Sequence, residues 1–206
     1  MKVLSVDFDI IMAPDINLYN AFVPRNNLEE IIKSHPQLIG LRADLKHYQK
    51  LVNLLLYLSK GISYNDIYVA FSHENIGKFL KNENDLEIVN IDHHHDLGYD
   101  EKELFEKCTC ANWAYYFFKQ NKIKEYIWLN NANSDRIPPF KQDDCFSIEE
   151  FCDITEVNYI EKFGKPDKIF LCLSPEWVPE HYHPLFFLLL DLLNKQNDYT
   201  LPVYGQ

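Results

Sequence analysis

The stretches VLSVDFD at residues 3–9 and IFLCL at residues 169–173 decide the fold class. Each contains a short apolar run with no polar face, a pattern typical of parallel strands that helices cover on both sides. Similar β-rich runs occupy residues 67–71, 86–91 and 126–129, and segments with helical periodicity separate them. This alternation predicts an α/β fold, in which helices flank a mostly parallel sheet in three layers.

Helices are predicted where apolar residues recur at intervals of three and four. The clearest covers residues 41–60, and others cover residues 73–80, 110–119 and 181–195. The sequence has no repeat and no convincing interdomain linker. We therefore expect a single domain over residues 1–206, a length sufficient to bury a substantial core without disulfides.

Charge and cysteine content bear on partners and compartment. A net charge of -11 would repel nucleic-acid phosphates, so no nucleic-acid partner is expected. Five cysteines without a C-x-x-C pair fit reduced thiols better than a disulfide framework. Asp7 and Asp9 interrupt the N-terminal apolar run, and the longest apolar stretch, residues 184–193, is too short to span a membrane. A cytoplasmic protein without membrane association is predicted.

Polar side chains follow several of the predicted strands. Asp7 and Asp9 end the first, His73 follows the second, the run DHHHD at residues 92–96 follows the third, and Glu176 follows the last. Ligands of open parallel sheets bind beyond the carboxyl ends of the strands. These groups are therefore expected to meet at one edge of the sheet.

The run DHHHD has the spacing of a metal site. In an extended segment alternate residues point the same way, so Asp92, His94 and Asp96 can converge while His93 and His95 face elsewhere. Mixed carboxylate and imidazole ligands suit Mn²⁺, Fe²⁺ or Zn²⁺. A pair of such ions lowers the pKa of a bridging water and supplies hydroxide at neutral pH.

A structural interpretation of the same residues stays open. Asp7 and Asp9 could simply cap the segment that follows them, and the histidine run could be a solvated loop. Ser72 could likewise serve only as an N-cap, with His73 in the first turn of a helix.

Two motifs resemble those of the ureohydrolase superfamily, which includes arginases, agmatinases and formimidoylglutamases. NIDHHHDLG at residues 90–98 is similar to its D-x-H-x-D motif, and SVDFD at residues 5–9 is similar to its S-x-D-x-D motif. His73 resembles the single histidine of its third metal motif. Asn112-Trp113 and SPEWVP at residues 174–179 resemble a divergent branch with peptide arginases, which convert arginine residues of precursor peptides to ornithine. The S-x-D-x-D motif comes first here, so the fold would be arginase-like with a permuted motif order.

The resemblance implies two Mn²⁺ ions, with other divalent metals as alternatives. Its implied metal ligands are Asp7, Asp9, His73, Asp92, His94 and Asp96. Asp7 and Asp92 would bridge the ions, His73 and Asp96 would complete one site, and His94 and Asp9 the other. Asp96 would also act catalytically, holding the bridging hydroxide and passing a proton to the leaving amine.

Substrate recognition is implied for two further residues. Glu176 would pair with the guanidinium as a catalytic and substrate-binding group, although a turn residue within SPEWVP is an equal alternative. Asn112 is the second candidate for substrate binding. The implied substrate is an arginine-containing precursor peptide or a small guanidino compound.

The resulting hypothesis is a manganese-dependent peptide arginase. Hydroxide bridging two metals would attack the guanidinium carbon of an arginine residue and give ornithine and urea. The first alternative is a manganese-dependent phosphoesterase of the DHH type, which also combines an early D-x-D with a later I-D-H-H but usually adds a glycine-rich domain. The second is a noncatalytic, metal-stabilised protein that binds peptides through its many aromatic side chains.

Overall fold

The computed structural model describes residues 1–13, 42–98, 108–131, 145–175 and 177–204. Their strands, in chain order, are β1 Lys2–Asp7, β2 Met12–Ala13, β3 Arg42–Ala43, β4 Ile67–Ala70, β5 Leu86–Ile91, β6 Ile123–Asn130, β7 Phe146–Glu150, β8 Lys168–Cys172 and β9 Val203–Tyr204. Their α-helices are α1 Leu45–Leu58, α2 Ile76–Phe79, α3 Trp113–Lys119, α4 Glu156–Phe163 and α5 His183–Asn197.

Seven of the described strands form one sheet in the order β7-β6-β5-β1-β8-β4-β9, and every pairing in it is parallel. The predicted parallel α/β fold is confirmed. In the centre, Val6 of β1 pairs with Ile91 of β5, and Asp7 pairs with Cys172 of β8. Strands β2 and β3 form a separate antiparallel pair.

Helices cover both faces of the sheet. Strand β1 shows the division, since Leu4 and Val6 pack with α1, α4 and α5, whereas Val3 packs with α2 and α3 on the opposite face. The predicted three layers are therefore present. Because β1 is buried on both faces, only the ends of its parallel neighbours leave room for a ligand.

Local signals set the helix boundaries. Helix α1 is shorter than predicted because Asp44 caps it, its side chain accepting hydrogen bonds from the backbone N–H groups of Lys46 and His47. Helix α4 was not predicted, since Tyr159 is the only buried residue of this helix. Thr155 begins this helix with a capping box.

In the described parts of the chain, no helix has the length and apolar character needed to cross a membrane.

Candidate metal centre

The sheet brings the predicted metal ligands to one edge. Asp7 is the last residue of β1, Asp92 follows β5, and His73 follows β4 on the other side of β8. Asp9 lies in the short 3-10 helix Phe8–Ile11. These positions are at the carboxyl ends of adjacent parallel strands, as the ligand-binding rule for such sheets requires.

The first part of the centre surrounds His73 and is called the His73 half. His73 Nδ1 lies 3.3 Å from Asp7 Oδ2, 3.1 Å from Asp92 Oδ2 and 3.2 Å from Asp96 Oδ2. All four side chains are buried. A ring nitrogen carries at most one hydrogen, so it cannot satisfy three carboxylate oxygens at once. The geometry of Asp7, His73 and Asp92 could hold a metal ion.

The second part, the His94 half, consists of Asp9, Asp92 and His94. His94 Nδ1 lies 2.9 Å from Asp9 Oδ2 and 3.7 Å from Asp92 Oδ1. These three residues could also hold a metal ion. Asp92 turns Oδ2 towards the His73 half and Oδ1 towards the His94 half, which is the arrangement of a bridging carboxylate.

Asp7 both caps a helix and contributes to the centre. Its Oδ1 accepts a hydrogen bond from the Asp9 backbone N–H, while its Oδ2 faces His73. The capping interpretation of Asp7 therefore holds, and it is compatible with the metal interpretation. Ser72 precedes the 3-10 helix His73–Asn75 without capping it through its side chain.

Two of the four acidic groups of the centre, Asp9 and Asp96, resist ionisation when no cation is bound. Burial, followed by the charges of Asp7 and Asp92, raises the pKa of Asp9 well above its usual range. Burial and the charge of Asp92 raise the pKa of Asp96 in the same way. Four buried carboxylates would carry four negative charges when ionised, and divalent cations are the natural counter-charge for such a group.

The two histidines of the centre respond to these carboxylates. Burial lowers the pKa of His73, but hydrogen bonds to Asp7 and Asp92 outweigh it and raise that pKa to about 9. For His94, Asp9 and Asp92 likewise outweigh burial and raise the pKa. Burial opposes ionisation of Asp92, but His73 and His94 hold its pKa below the usual range. Cations bound at this centre would therefore displace protons.

Four neutral polar groups form hydrogen bonds with the ligand groups. Ser5 Oγ and His73 Nε2 form a 2.7 Å hydrogen bond. The other three groups donate, Asn90 Nδ2 to Asp92 Oδ2 at 3.1 Å, Trp113 Nε1 to Asp96 Oδ2 at 2.6 Å, and Ser174 Oγ to Asp7 Oδ2. Such partners fix the orientation of metal ligands.

Sequence reasoning did not place Ser5 or Asn90 in the site. A signal was present, because each stands on a strand two residues before a site aspartate, Ser5 before Asp7 at the end of β1 and Asn90 before Asp92 just after β5. Alternate residues of a strand share one face. The spacing could therefore have identified both as neighbours of the carboxylates.

The backbone around the centre departs from ordinary geometry at two positions. Asp96 has a φ of 53° and Ser174 a φ of 46°, although neither is glycine. Such conformations cost roughly 1–3 kcal/mol each and gather at functional sites. At Asp96 this conformation means that the DHHHD run is not a regular extended segment, yet Asp92, His94 and Asp96 still reach the centre.

The remaining histidines of the run stay outside the two metal-binding groups. His93 and His95 are buried, so the run is not a solvated loop. Burial, then the charge of His94, lowers the pKa of His93 to about 3 and that of His95 to about 4. His95 Nδ1 accepts a hydrogen bond from the Leu97 backbone N–H at 3.0 Å.

Of the two candidates for substrate binding, only Asn112 lies within the described residues. Asn112 is fully buried in front of α3, and its Oδ1 accepts a hydrogen bond from the Thr109 backbone N–H at 2.8 Å. Glu176 lies outside the described residues. The substrate roles of both residues stay predictions.

No protein-family model matches this chain, and neither does any curated protein or solved structure. Functional assignment therefore depends on the geometry and chemistry of the centre. The likeness to ureohydrolases stays a prediction from the motifs.

Proposed function

We propose that this chain is a metal-dependent hydrolase that converts an arginine residue of a peptide into ornithine and urea. The observation that carries the proposal is the pair of overlapping metal-binding groups, which share Asp92 through its two oxygens. Two adjacent ions need such a bridging carboxylate to offset their mutual repulsion. Arginine as the substrate is drawn from the motif resemblance.

The ligand set fits hard or borderline divalent cations. Asp7, His73 and Asp92 would hold one Mn²⁺, with Asp96 beside them, and Asp9, Asp92 and His94 would hold the other. Cations bound there supply a nucleophile at neutral pH by lowering the pKa of water. Carboxylates at the same place also suit a cationic guanidinium.

Asp96 is the group best placed to move a proton. Its carboxyl is buried, has a raised pKa, and is oriented by the indole N–H of Trp113. As the bond between the guanidinium carbon and the ornithine nitrogen breaks, Asp96 would deliver a proton to that nitrogen. Water supplies the oxygen of urea, so the reaction needs no other co-reactant.

The test incubates the purified, Mn²⁺-loaded chain with an arginine-containing peptide, free arginine and agmatine. Urea release, with ornithine detected in the peptide by mass spectrometry, is the expected result. Asp92→Asn should abolish it, while the exposed Asp191→Asn on α5 serves as the matched control.

Other outcomes of the same assay would favour the alternatives. Absence of urea from all three compounds would contradict the proposal. Hydrolysis of a dinucleotide without urea would favour the phosphoesterase. Mn²⁺ binding with no hydrolysis of either class would favour the noncatalytic binding protein.

A further inference from the structure

The turn that follows β8 contacts both halves of the centre. Its first residue, Ser174, donates its hydroxyl hydrogen to Asp7 of the His73 half. Further along, the indole of Trp177 lies against His94, with the ring centroids 4.7 Å apart and the rings inclined by 45°. The Trp177 backbone N–H donates to Ser174 O at 2.9 Å, which closes the turn.

Trp177 differs from the other two tryptophans near the centre. Trp113 and Trp128 are both 0% exposed and use their indole N–H groups on Asp96 Oδ2 and on the Asp92 carbonyl. Trp177 is only partly buried and packs at the margin of the core. It therefore presents part of its surface to solvent beside the centre.

His94 is the most exposed of the six predicted metal ligands. It is 8% exposed, whereas none of the other five predicted metal ligands exceeds 3%. The partly exposed indole of Trp177 lies against it. A molecule that reaches the His94 half from solvent consequently meets an aromatic surface next to a cluster of carboxylates.

We infer that Trp177 is a substrate-binding residue whose indole stacks on the planar guanidinium of the arginine side chain. The inference rests on the proposed function and adds a residue that orients the substrate. Carboxylates attract any cation, but they do not select a plane. An indole face does so, because it attracts cations and stacks well with guanidinium in particular.

Stacking and simple core packing predict different effects of Trp177 variants. A packing residue would change folding stability, or the Mn²⁺ affinity through the orientation of His94. A stacking residue would change affinity for a planar cation more than affinity for a neutral molecule of the same shape. N-acetylcitrulline amide is such a neutral counterpart of N-acetylarginine amide.

Titration calorimetry with these two compounds tests the inference on the Mn²⁺-loaded chain, alongside a urea assay. Heat of binding, or heat of turnover, reports affinity whether or not urea forms. Trp177→Leu should weaken the binding of N-acetylarginine amide about tenfold. This loss lies within the range of binding energies for a partly desolvated cation above an indole. The binding of N-acetylcitrulline amide should weaken less. The affinity of Trp177→Phe for the arginine compound should lie between those of wild type and Trp177→Leu, and the Mn²⁺ content should not change.

The matched control is Phe187→Leu, an exposed aromatic residue on α5 that should leave both affinities unchanged. Equal affinity of wild type and Trp177→Leu for the arginine compound would overturn the inference. So would the absence of binding by wild type, or a loss of affinity in Trp177→Leu that is explained by a loss of Mn²⁺. If the affinities differ as expected but no urea forms, the stacking stands and the proposed hydrolysis fails.

Discussion

The His73 half and the His94 half use the same kinds of ligand in different surroundings. Around His73, three carboxylate oxygens lie within 3.3 Å of one nitrogen. Around His94, Asp9 lies at 2.9 Å and Asp92 at 3.7 Å. The His73 half is also the more enclosed, and its residues form hydrogen bonds with Ser5, Trp113 and Ser174. His94 instead borders a partly exposed indole.

This difference would allow one centre to combine retention of metal with access for substrate. Greater negative charge and oriented ligands strengthen the binding of a divalent cation. The His73 half is therefore expected to retain its ion, while the more open His94 half exchanges ions and meets the substrate.

The largest effect is expected from Asp92→Asn, because Asp92 belongs to both halves. Loss of a partner of a metal ligand lowers metal affinity or activity about 10–100-fold, so loss of a shared ligand should exceed about 100-fold. Mass spectrometry should show that both Mn²⁺ ions are lost, and urea release should stop. Asp191→Asn is the control and should keep both ions. If Asp92→Asn also bound two Mn²⁺ ions, this would contradict the role of Asp92 as a ligand shared by both halves.

The metal-free chain should lose stability as pH rises. The pKa of His73 in the folded chain is about 9 against 6.5 for an ordinary histidine, so its stabilising contribution is complete below pH 6.5 and is lost through about pH 9. The loss is on the order of 3 kcal/mol. The raised pKa values of His94, Asp9 and Asp96 act in the same direction.

Urea denaturation with a chelator, repeated across this pH range, measures the effect. Bound Mn²⁺ replaces the protons, so the loaded chain should not lose stability in the same way. His73→Gln should flatten the metal-free profile, whereas the exposed His181→Gln should keep it. A metal-free chain whose stability is constant from pH 6.5 to 9 would show that the carboxylates do not hold His73 protonated.

The sequence predicted the sheet and the placement of the candidate metal ligands because both depend on local patterns. Apolar runs identify buried parallel strands, and the carboxyl ends of those strands necessarily share an edge. That reasoning placed Asp7, His73 and Asp92 correctly. It also brought Asp96 to the centre, 3.2 Å from His73 Nδ1, but not the left-handed φ of Asp96. It missed α4, in which Tyr159 is the only buried residue.

The contacts of Trp177 and Trp113 could not be predicted in the same way. Each connects segments that are distant in sequence, Trp177 with His94 and Trp113 with Asp96. Composition and periodicity indicate that an aromatic side chain is buried, but they do not identify its neighbour.

Chelation should remove the two proposed ions in separate steps. We expect the His94 half to lose Mn²⁺ at a chelator concentration about tenfold lower than the His73 half does, given its fewer close carboxylates. His94→Ala should leave one tightly bound ion, whereas His73→Ala should leave only weak binding. The half-buried His47, on α1, supplies the control His47→Ala. A single step for wild type, or equal losses in both variants, would refute the difference between the halves.

The smallest effect, and the most specific one, is expected from Ser5→Ala. With Nδ1 of His73 turned to the carboxylates, Nε2–H donates to Ser5 Oγ at 2.7 Å and fixes the ring. Removing the hydroxyl leaves a buried donor without that partner, and Mn²⁺ affinity of the His73 half should fall about tenfold. The His94 half should be unaffected, since the Ser5 hydroxyl bonds to His73. Ser147→Ala, at an exposed position of β7, is the matched control. Equal weakening of both halves would mean that Ser5 supports the fold of the centre as a whole, whereas selective weakening would establish that the tighter binding of the His73 half depends on the orientation of one imidazole.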